Sequence, residues 1–507
     1  MDVYNRRRTH CGEFVNRQAF SQHSVCSPSR VSMLTGWYPH VSGHRSLTHL
    51  IKPWEPNLMK MLRDGGYNVA WAGLRGDTFA PGVVEESTDF HGFIVPPTLL
   101  GSRSPYEPGH RFADAFYDGL RKSDGVVLDF DEATVQTAES WLSNSPKEPW
   151  LLFVALMFPH PPFVVEEPWF SLHNRGAMPE PTPPELDGKP RFMRKIRDRY
   201  GTESLDAGDW AELIATYYGM VSRIDDQLGR VVTAVEQAGV AERTATLFFT
   251  DHGEYLGDFG LVEKWPSGLD DCLLRNPLII ATPGGVPGQD CHSLVEMVDL
   301  LPTILELAEI EPGHTHFGQS LIPLLSDASL GHRGAAFSEG GFALHELDLL
   351  ERPSGRYRHK GALQREDPRL VGKAVSIRTQ RWTIYIASMR RMSRTIARTT
   401  RERRRTWPEM RRSPKSSAAF EIRCWTGCLL PPTRSRGRKI HASIRSLLTS
   451  CVLLRIQKDA DGRRVESSLE ITPRVSDFCS VPEIHLSTAD SALTAGQRGT
   501  NPLCCCD

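Results

Sequence analysis

Residues 26–40 of the chain read CSPSRVSMLTGWYPH, and the interpretation of the other segments starts from this one. Cys26 opens the segment, and a Ser-Pro-Ser-Arg run that ends at Arg30 follows it. A lone intracellular cysteine is most often a small, buried and inert hydrophobe. The alternative is a cysteine from which a catalytic nucleophile is made. The residues on either side of Cys26 must be used to distinguish an inert cysteine from a catalytic one.

Signals for strands and helices alternate along the chain up to about residue 325. Short apolar runs predict strands, and amphipathic runs predict helices. The predicted strands are 67–73, 150–158, 244–250 and 276–282; the predicted helices are 56–64, 132–142 and 293–308, and a long amphipathic stretch covers 210–239. Strands separated by helices predict an α/β fold with a parallel or mixed sheet that is covered on both faces.

Reactive residues follow two of these predicted strands, at the edge where such sheets bind ligands. Asp251 and His252 come after the strand 244–250, and Lys264 lies thirteen residues past Asp251. A carboxylate at a strand end is a suitable ligand for Ca²⁺ or Mg²⁺, which would neutralise negative charge on a substrate. His160 follows the strand 150–158 among prolines, and histidine is suitable as a general acid near neutral pH. The alternative for each is an ordinary turn residue.

Together these motifs resemble the sulfatase family. The segment from Cys26 follows the family signatures C-x-P-S-R and L-T-G-x-Y-P, and further segments in family order cover roughly residues 12–385. The resemblance implies an α/β fold with an alkaline-phosphatase-like mixed or parallel sheet sandwiched by helices. It also implies that a separate formylglycine-generating enzyme oxidises Cys26 to formylglycine. The hydrated aldehyde would then supply the nucleophile and release sulfate by elimination.

The resemblance assigns roles to the remaining candidates. Asp251 and His252, with the modified Cys26, are expected to bind Ca²⁺ or Mg²⁺, and Lys264 is expected to contact the sulfate. His160 would protonate the leaving group or bind sulfate. Arg30 would hold the hydrated formylglycine.

The N-terminal part departs from the family in two ways. Arg75 stands where the family usually carries lysine, which keeps the charge but presents a planar fork. The family's first strand, with acidic residues that bind the metal, has no counterpart in the 25 residues before Cys26. We therefore expect a truncated N-terminus or an inactive relative. Read literally, the N-terminus lacks a signal peptide and indicates a cytoplasmic protein, but the compartment stays open.

The tail is expected to be an out-of-frame translation. Residues 392–408 read MSRTIARTTRERRRTWP. Translated back with permitted codons and shifted by one nucleotide, they read DESYDRTNDPGETTNLA, which resembles the missing family segment. Residues 386–465 hold 21 Lys and Arg against 5 Asp and Glu, whereas residues 1–385 hold 37 against 50. The predicted domains are a catalytic domain at 1–330 without its first strand, a partial C-terminal subdomain at 331–385, and a disordered tail at 386–507.

The composition sets the remaining expectations. The chain is 40% hydrophobic and 24% charged with a net charge of -1, so neither nucleic acid nor a membrane is expected as a partner. The predicted function is hydrolysis of sulfate monoesters, with a small-molecule or carbohydrate sulfate ester as the substrate. One alternative is a phosphoester or phosphonate monoester hydrolase that uses the same residues. The other is a catalytically inactive remnant.

Overall fold

The computed structural model describes residues 11–74, 77–98, 104–123, 125–343 and 345–387, together with the backbone of two short strands at 395–398 and 405–406. The strands in these residues are β1 (Cys11–Phe20), β2 (Asn68–Gly73), β3 (Phe90–Gly92), β4 (Tyr117–Leu120), β5 (Trp150–Ala155), β6 (Phe163–Val165), β7 (Thr246–Phe249), β8 (Arg275–Pro283), β9 (Gln289–Cys291), β10 (Val295–Glu296), β11 (Ala336–Gly340), β12 (Ala374–Arg378), β13 (Trp382–Ala387), β14 (Thr395–Arg398) and β15 (Arg405–Thr406).

The α-helices in the same residues are α1 (Cys26–Thr35), α2 (Pro39–Ser42), α3 (Leu58–Asp64), α4 (Val83–Ser87), α5 (Phe130–Ser143), α6 (Trp169–Leu172), α7 (Arg191–Tyr200), α8 (Ala207–Gln237), α9 (Asp271–Leu274), α10 (Leu300–Leu307), α11 (Ile322–Ser326) and α12 (Arg358–Glu366). Helix α8 begins at a capping box in which the side chains of Asp206 and Asp209 each accept a hydrogen bond from the other's backbone. No helix in the described part of the chain has the length and apolarity needed to span a bilayer.

Two sheets form the centre of the fold. The first has the order β10-β1-β8-β7, with β9 also paired to β1. Strand β1 runs antiparallel to β8 and parallel to β9 and β10, so this sheet is mixed. The second is the parallel sheet β3-β2-β5. The predicted α/β fold with a mixed sheet is confirmed.

Helices cover both faces of the parallel sheet, and the alternation of side chains along β2 shows why. Val69 and Trp71 point to one face and join an apolar cluster with residues of α3 and α10. Ala70, between them, points to the other face and packs with Trp141 of α5 and Val235 of α8. Successive side chains of a strand point to opposite faces, so both faces of this strand need an apolar cover.

Two parts of the predicted secondary structure differ from the structure. Sequence reasoning assigned no element before Cys26, whereas β1 occupies Cys11–Phe20 and leads directly to the site. The helix predicted at 293–308 starts too early, because Val295–Glu296 pairs with β1 and α10 begins only at Leu300. The carboxylate of Asp299 accepts a hydrogen bond from the backbone N of Glu296 at 2.9 Å and so fixes the turn between strand and helix.

The C-terminal described residues form a separate antiparallel sheet of order β11-β12-β13-β14-β15. Its first three strands fall at residues 336–387, mostly within the segment predicted as a partial subdomain. Of the predicted tail, only 386–387 and the two short strands belong to the described residues; the rest lies outside them. The domain boundaries and the frameshift stay predictions.

Candidate active site

Cys26 and Arg30 lie one turn apart in the first half of α1, so their side chains share a face of the helix. Helix α1 follows β1 after a short turn and ends at Gly36, whose φ of +68° is in the left-handed region that favours glycine. Cys26 is 6% exposed. The sequence thus fixes the sulfur at the amino end of a helix that packs inside the fold.

Asp251 and His252 follow β7 after one residue, Thr250, and turn towards α1. The Arg30 Nε donates to Asp251 Oδ2 at 2.8 Å, and the hydroxyl of Ser29 donates to the backbone oxygen of Asp251 at 2.5 Å. The glycine of the Asp-His-Gly motif is needed for close packing, because a Cβ at Gly253 would lie 2.0 Å from the Cys272 carbonyl oxygen. These contacts tie the end of β7 to the first turn of α1.

His252 is oriented by its two ring nitrogens. Its Nδ1 lies 2.8 Å from the Gly253 carbonyl oxygen, and since that oxygen can only accept, Nδ1 is protonated and donates to it. The Nε2 atom then faces Cys26, 3.2 Å from the Sγ atom. The imidazole is therefore held with one nitrogen towards the reactive position.

His160 and Lys264 complete the other side of the site. Strand β5 ends before His160 because the Asp131 carboxylate accepts hydrogen bonds from the backbone N of Met157 at 2.6 Å and of Phe158 at 2.8 Å. The His160 Nδ1 lies 2.8 Å from the carbonyl oxygen of the next residue, so its Nε2 faces the Lys264 Nζ at 3.2 Å. An ammonium group is thereby held beside an imidazole.

The charges around Cys26 favour a thiolate. Burial acts to raise the pKa of the Cys26 thiol, but Lys264, His252 and hydrogen bonds from His160 and His252 outweigh it and hold that pKa well below its ordinary value. Burial acts to lower the pKa of Lys264, and the adjacent Glu263 and Cys26 more than reverse this, so the pKa of the ammonium is well above its ordinary value. The Cys26 thiolate is thus accompanied by the Lys264 ammonium, which stays protonated.

Sequence reasoning missed the group that holds Lys264. Glu263 is 1% exposed, and its Oε1 lies 2.7 Å from the Lys264 Nζ. Its Oε2 lies 3.2 Å from the Nζ of Lys360, a second buried lysine, which is also 3.5 Å from Glu351. Glu263 has a φ of +67°, uncommon for a residue other than glycine. The adjacent position in the sequence was the only signal for Glu263, and nothing in the sequence linked it to Lys360.

The structure brings together six of the seven predicted site residues, namely Cys26, Arg30, His160, Asp251, His252 and Lys264. Their roles stay predictions. Arg75 lies outside the described residues. Close to it in the chain, Asp77 accepts a hydrogen bond from the hydroxyl of Ser27 at 3.0 Å, which brings a carboxylate beside the first turn of α1.

The predicted metal ligands do lie together, but they fit calcium poorly. Ligand atoms of Cys26, Asp251 and His252 lie within 4.8 Å of one another. Ca²⁺ takes six to eight oxygen ligands, and Mg²⁺ takes six in a near-octahedral shell. This set offers one carboxylate, of which Oδ2 is already bound by Arg30. Among the described residues, these donors do not make a site for a hard cation by themselves, and the calcium prediction stays a prediction.

Comparisons with known proteins agree with the geometry. A sequence model of the sulfatase family matches residues 12–310. The multifunctional alkaline phosphatase superfamily protein PehA of Trinickia caryophylli is 28% identical over 350 residues, which cover 60% of this chain and 67% of PehA. Arylsulfatase K of Xenopus laevis is 25% identical over 347 residues, which cover 64% of this chain and 61% of the relative. The chain therefore spans about two thirds or less of these relatives.

Among solved structures, the phosphonate monoester hydrolase of Silicibacter pomeroyi superposes with a TM-score of 0.57 at 20% sequence identity. The match covers 77% of this chain and 83% of that structure. At this identity the likeness concerns the fold, and it confirms the expected architecture of a sheet sandwiched by helices.

Proposed function

This chain belongs to the sulfatase family, and we propose that it hydrolyses sulfate monoesters with a nucleophile made from Cys26. The family generally implies a formylglycine and a metal ion. The formylglycine is the part that this chain fits, because position 26 is small, buried and surrounded by hydrogen-bonding groups. Its hydrated aldehyde would supply the attacking oxygen and let sulfate leave by elimination.

The residues around position 26 support this chemistry. The His252 Nε2, 3.2 Å from the sulfur, is within reach of a hydroxyl group at the same place and can take its proton. Lys264 supplies positive charge for the sulfate oxygens, and charge aimed at a buried transition state is a large term in catalysis. The His160 Nε2 accepts a hydrogen bond from Lys264 and so orients it, and a proton that passes from the ammonium to this nitrogen can be given to the departing oxygen. Arg30 fixes Asp251 and with it the end of β7. No step depends on a metal ion.

One observation carries the proposal. The Cys26 sulfur lies 3.2 Å from the His252 imidazole and feels the charge of the Lys264 ammonium, and both groups come from segments more than 200 residues away in the chain. A structural cysteine has no need of such surroundings, since it packs as a small hydrophobe and its pKa rises on burial.

The test starts with the chain co-expressed with a formylglycine-generating enzyme. Mass spectrometry of the tryptic peptide 18–30 measures the conversion of Cys26, and turnover of p-nitrophenyl sulfate measures activity. We expect activity that depends on conversion, is abolished in Cys26→Ala and falls at least about 100-fold in Lys264→Ala. Cys291→Ser, in β9, is the matched control and should keep full activity. A fully converted, folded chain that cleaves no sulfate ester would refute the proposal.

A phosphoester or phosphonate monoester hydrolase is the second candidate, because the chain is 28% identical to PehA, a multifunctional alkaline phosphatase superfamily protein, and has the fold of the phosphonate monoester hydrolase of Silicibacter pomeroyi. The same preparations assayed with p-nitrophenyl phosphate and p-nitrophenyl phenylphosphonate separate the two. Faster turnover of either than of the sulfate favours the second candidate. A converted chain that cleaves none of the three is the inactive remnant.

A further inference from the structure

We propose that the chain, as long as Cys26 is still a thiol, binds Zn²⁺ through Cys26, Asp251 and His252, with a fourth position open to water or an anion. The inference goes beyond sulfate hydrolysis, because it concerns the chain before Cys26 is converted. These three donors do not supply the shell of oxygen ligands that calcium needs.

The distances fit one tetrahedral ion. The Cys26 Sγ and His252 Nε2 atoms are 3.2 Å apart, the His252 Nε2 and Asp251 Oδ1 atoms are 3.8 Å apart, and all three donors lie within 4.8 Å of one another. Zinc bonds of about 2.0–2.3 Å in tetrahedral geometry hold neighbouring ligands roughly 3.3–3.8 Å apart. A single ion can therefore reach all three donors after small side-chain movements.

The donors are already oriented by the groups behind them. A zinc-bound histidine almost always donates its other ring N–H to a carbonyl or carboxylate, and the His252 Nδ1 faces the Gly253 carbonyl oxygen at 2.8 Å. Asp251 is held through Oδ2 by Arg30 and through Oδ1 by the backbone N of His252 at 2.9 Å, and Oδ1 is the carboxylate oxygen that lies 3.8 Å from the His252 Nε2. Because these contacts already hold the ligand side chains in place, less conformational entropy is lost when an ion binds.

The chemistry of the donors selects the metal. Thiolate, imidazole and carboxylate are the three ligand types that bind zinc in proteins, whereas Ca²⁺ and Mg²⁺ need an oxygen shell. When the ion binds, the hydrogen between the sulfur and the His252 Nε2 leaves to solvent, and a Zn–S and a Zn–N bond take its place. Of the nearby cations, Lys264 has a carboxylate partner outside the ligand set, Glu263, which limits its repulsion of the ion, whereas Arg30 shares Asp251 with the ion.

Zinc and the formylglycine exclude each other at this position. Conversion of Cys26 removes the sulfur ligand, and a bound ion occupies the thiolate that conversion consumes. The unconverted protein should therefore hold zinc and the converted protein should not.

The experiment uses the full chain from a host in which mass spectrometry shows an intact Cys26 thiol. Co²⁺ is titrated as a spectroscopic substitute for zinc, since thiolate ligation gives a near-ultraviolet charge-transfer band and tetrahedral geometry gives intense visible bands. Cys26→Ser and His252→Gln are the ligand variants, and Cys291→Ser is the matched control. Thermal unfolding checks the fold of each. Cysteines elsewhere are identical in the parent and the ligand variants, so they cancel in the difference.

We expect the parent and Cys291→Ser each to bind one more thiolate-ligated Co²⁺ ion per chain than Cys26→Ser does. His252→Gln should weaken this site by more than the 10- to 100-fold typical of supporting residues. Zinc should displace the Co²⁺ and slow alkylation of Cys26 by iodoacetamide, whereas millimolar Ca²⁺ should do neither. Equal titrations of the parent and a folded Cys26→Ser, or displacement by Ca²⁺, would overturn the inference. Sulfate hydrolysis is measured on converted chain, so either proposal can fail alone.

Discussion

Glu263→Gln is the substitution whose consequences the structure defines most closely. Glutamine keeps the shape of the side chain and removes only its charge. In the structure that charge is shared between Lys264 at 2.7 Å and Lys360 at 3.2 Å, and all three side chains are buried. After the substitution, Glu351 at 3.5 Å from Lys360 is the one carboxylate still within ion-pair distance of either ammonium among the described residues. Two buried cations would then compete for it.

The magnitude follows from the cost of a broken buried pair. Removal of one partner of such a pair costs about 3–5 kcal/mol, because the other charge stays desolvated. That is a large share of the 5–15 kcal/mol that typically stabilises a folded protein. With an unfolding entropy of about 2.1 cal/mol/K per residue and about 370 described residues, 1 kcal/mol shifts the melting temperature by roughly 1.3 °C, so a fall of about 4–6 °C is expected. Activity should fall as well, since Lys264 loses the contact that aims it at His160.

The assay is urea unfolding of Glu263→Gln, Lys360→Met and the double variant. Lys360→Met removes one of the two cations, so the double variant should lose less than the sum of the two single losses. Arg194→Gln serves as a control, because its pairing with Asp187 is 3.4 Å long and exposed and should change stability by less than about 0.5 kcal/mol. A Glu263→Gln chain as stable as that control, or strictly additive losses, would show that the buried charges are not coupled.

Two further predictions concern backbone packing and pH. Gly253→Ala should lower kcat/KM for the sulfate ester at least about 10-fold, because the new Cβ would lie 2.0 Å from the Cys272 carbonyl oxygen and must displace the loop; unchanged kinetics would contradict this. Burial acts to raise the pKa of Glu339, but the hydrogen bonds from His40 and the charge of Lys373 lower it from 4.5 to about 2. A lowered pKa gives stability that is present above pH 4.5 and is lost as the pH falls towards 2, here about 3 kcal/mol. The stability gap between parent and Glu339→Gln should therefore close over that range in urea titrations, and a gap independent of pH would refute the assignment.

The sequence predicted the parts of the site that depend on local pattern and chain order. Apolar runs marked β5 and β7, and the reactive residues after them meet at the site although the two strands belong to different sheets in the described part of the chain. Strand β1 was missed because CGEFVNRQAF has little apolar alternation. It forms because the long strand β8 pairs with it from Cys11↔Pro283 to Phe20↔Arg275, a contact between residues far apart in the chain. Tertiary pairing here outweighs local preference.

The buried charges also show the limit of predicting long-range contacts from local sequence. Lys264 was predicted from the resemblance to the sulfatase family, and the structure places its ammonium group beside His160. Glu263 stands beside it in the sequence, but a Glu-Lys pair is normally solvated and carries no signal of burial. Only the approach of α12, which brings Lys360, turns Glu263 into the centre of a buried ion-pair network. Such a role depends on contacts between distant parts of the chain, so a local sequence pattern cannot predict it.

The two central sheets meet at the site without sharing a described strand, and this explains why the side-chain contacts matter. Strands β5 and β7 each end their sheet, and every residue of both is only partly buried although both runs are strongly apolar. The rings of Phe153 and Phe249 lie 6.2 Å apart across this junction. Because no ladder of hydrogen bonds joins β5 to β7 in the described part of the chain, the distance between His160 on one side and His252 on the other is set by side chains. The contact between Lys264 and His160, fixed from behind by Glu263, is the polar part of that junction. A variant that loosens Glu263 should thus disturb the alignment of both histidines with position 26, and so reduce catalysis even where the fold survives.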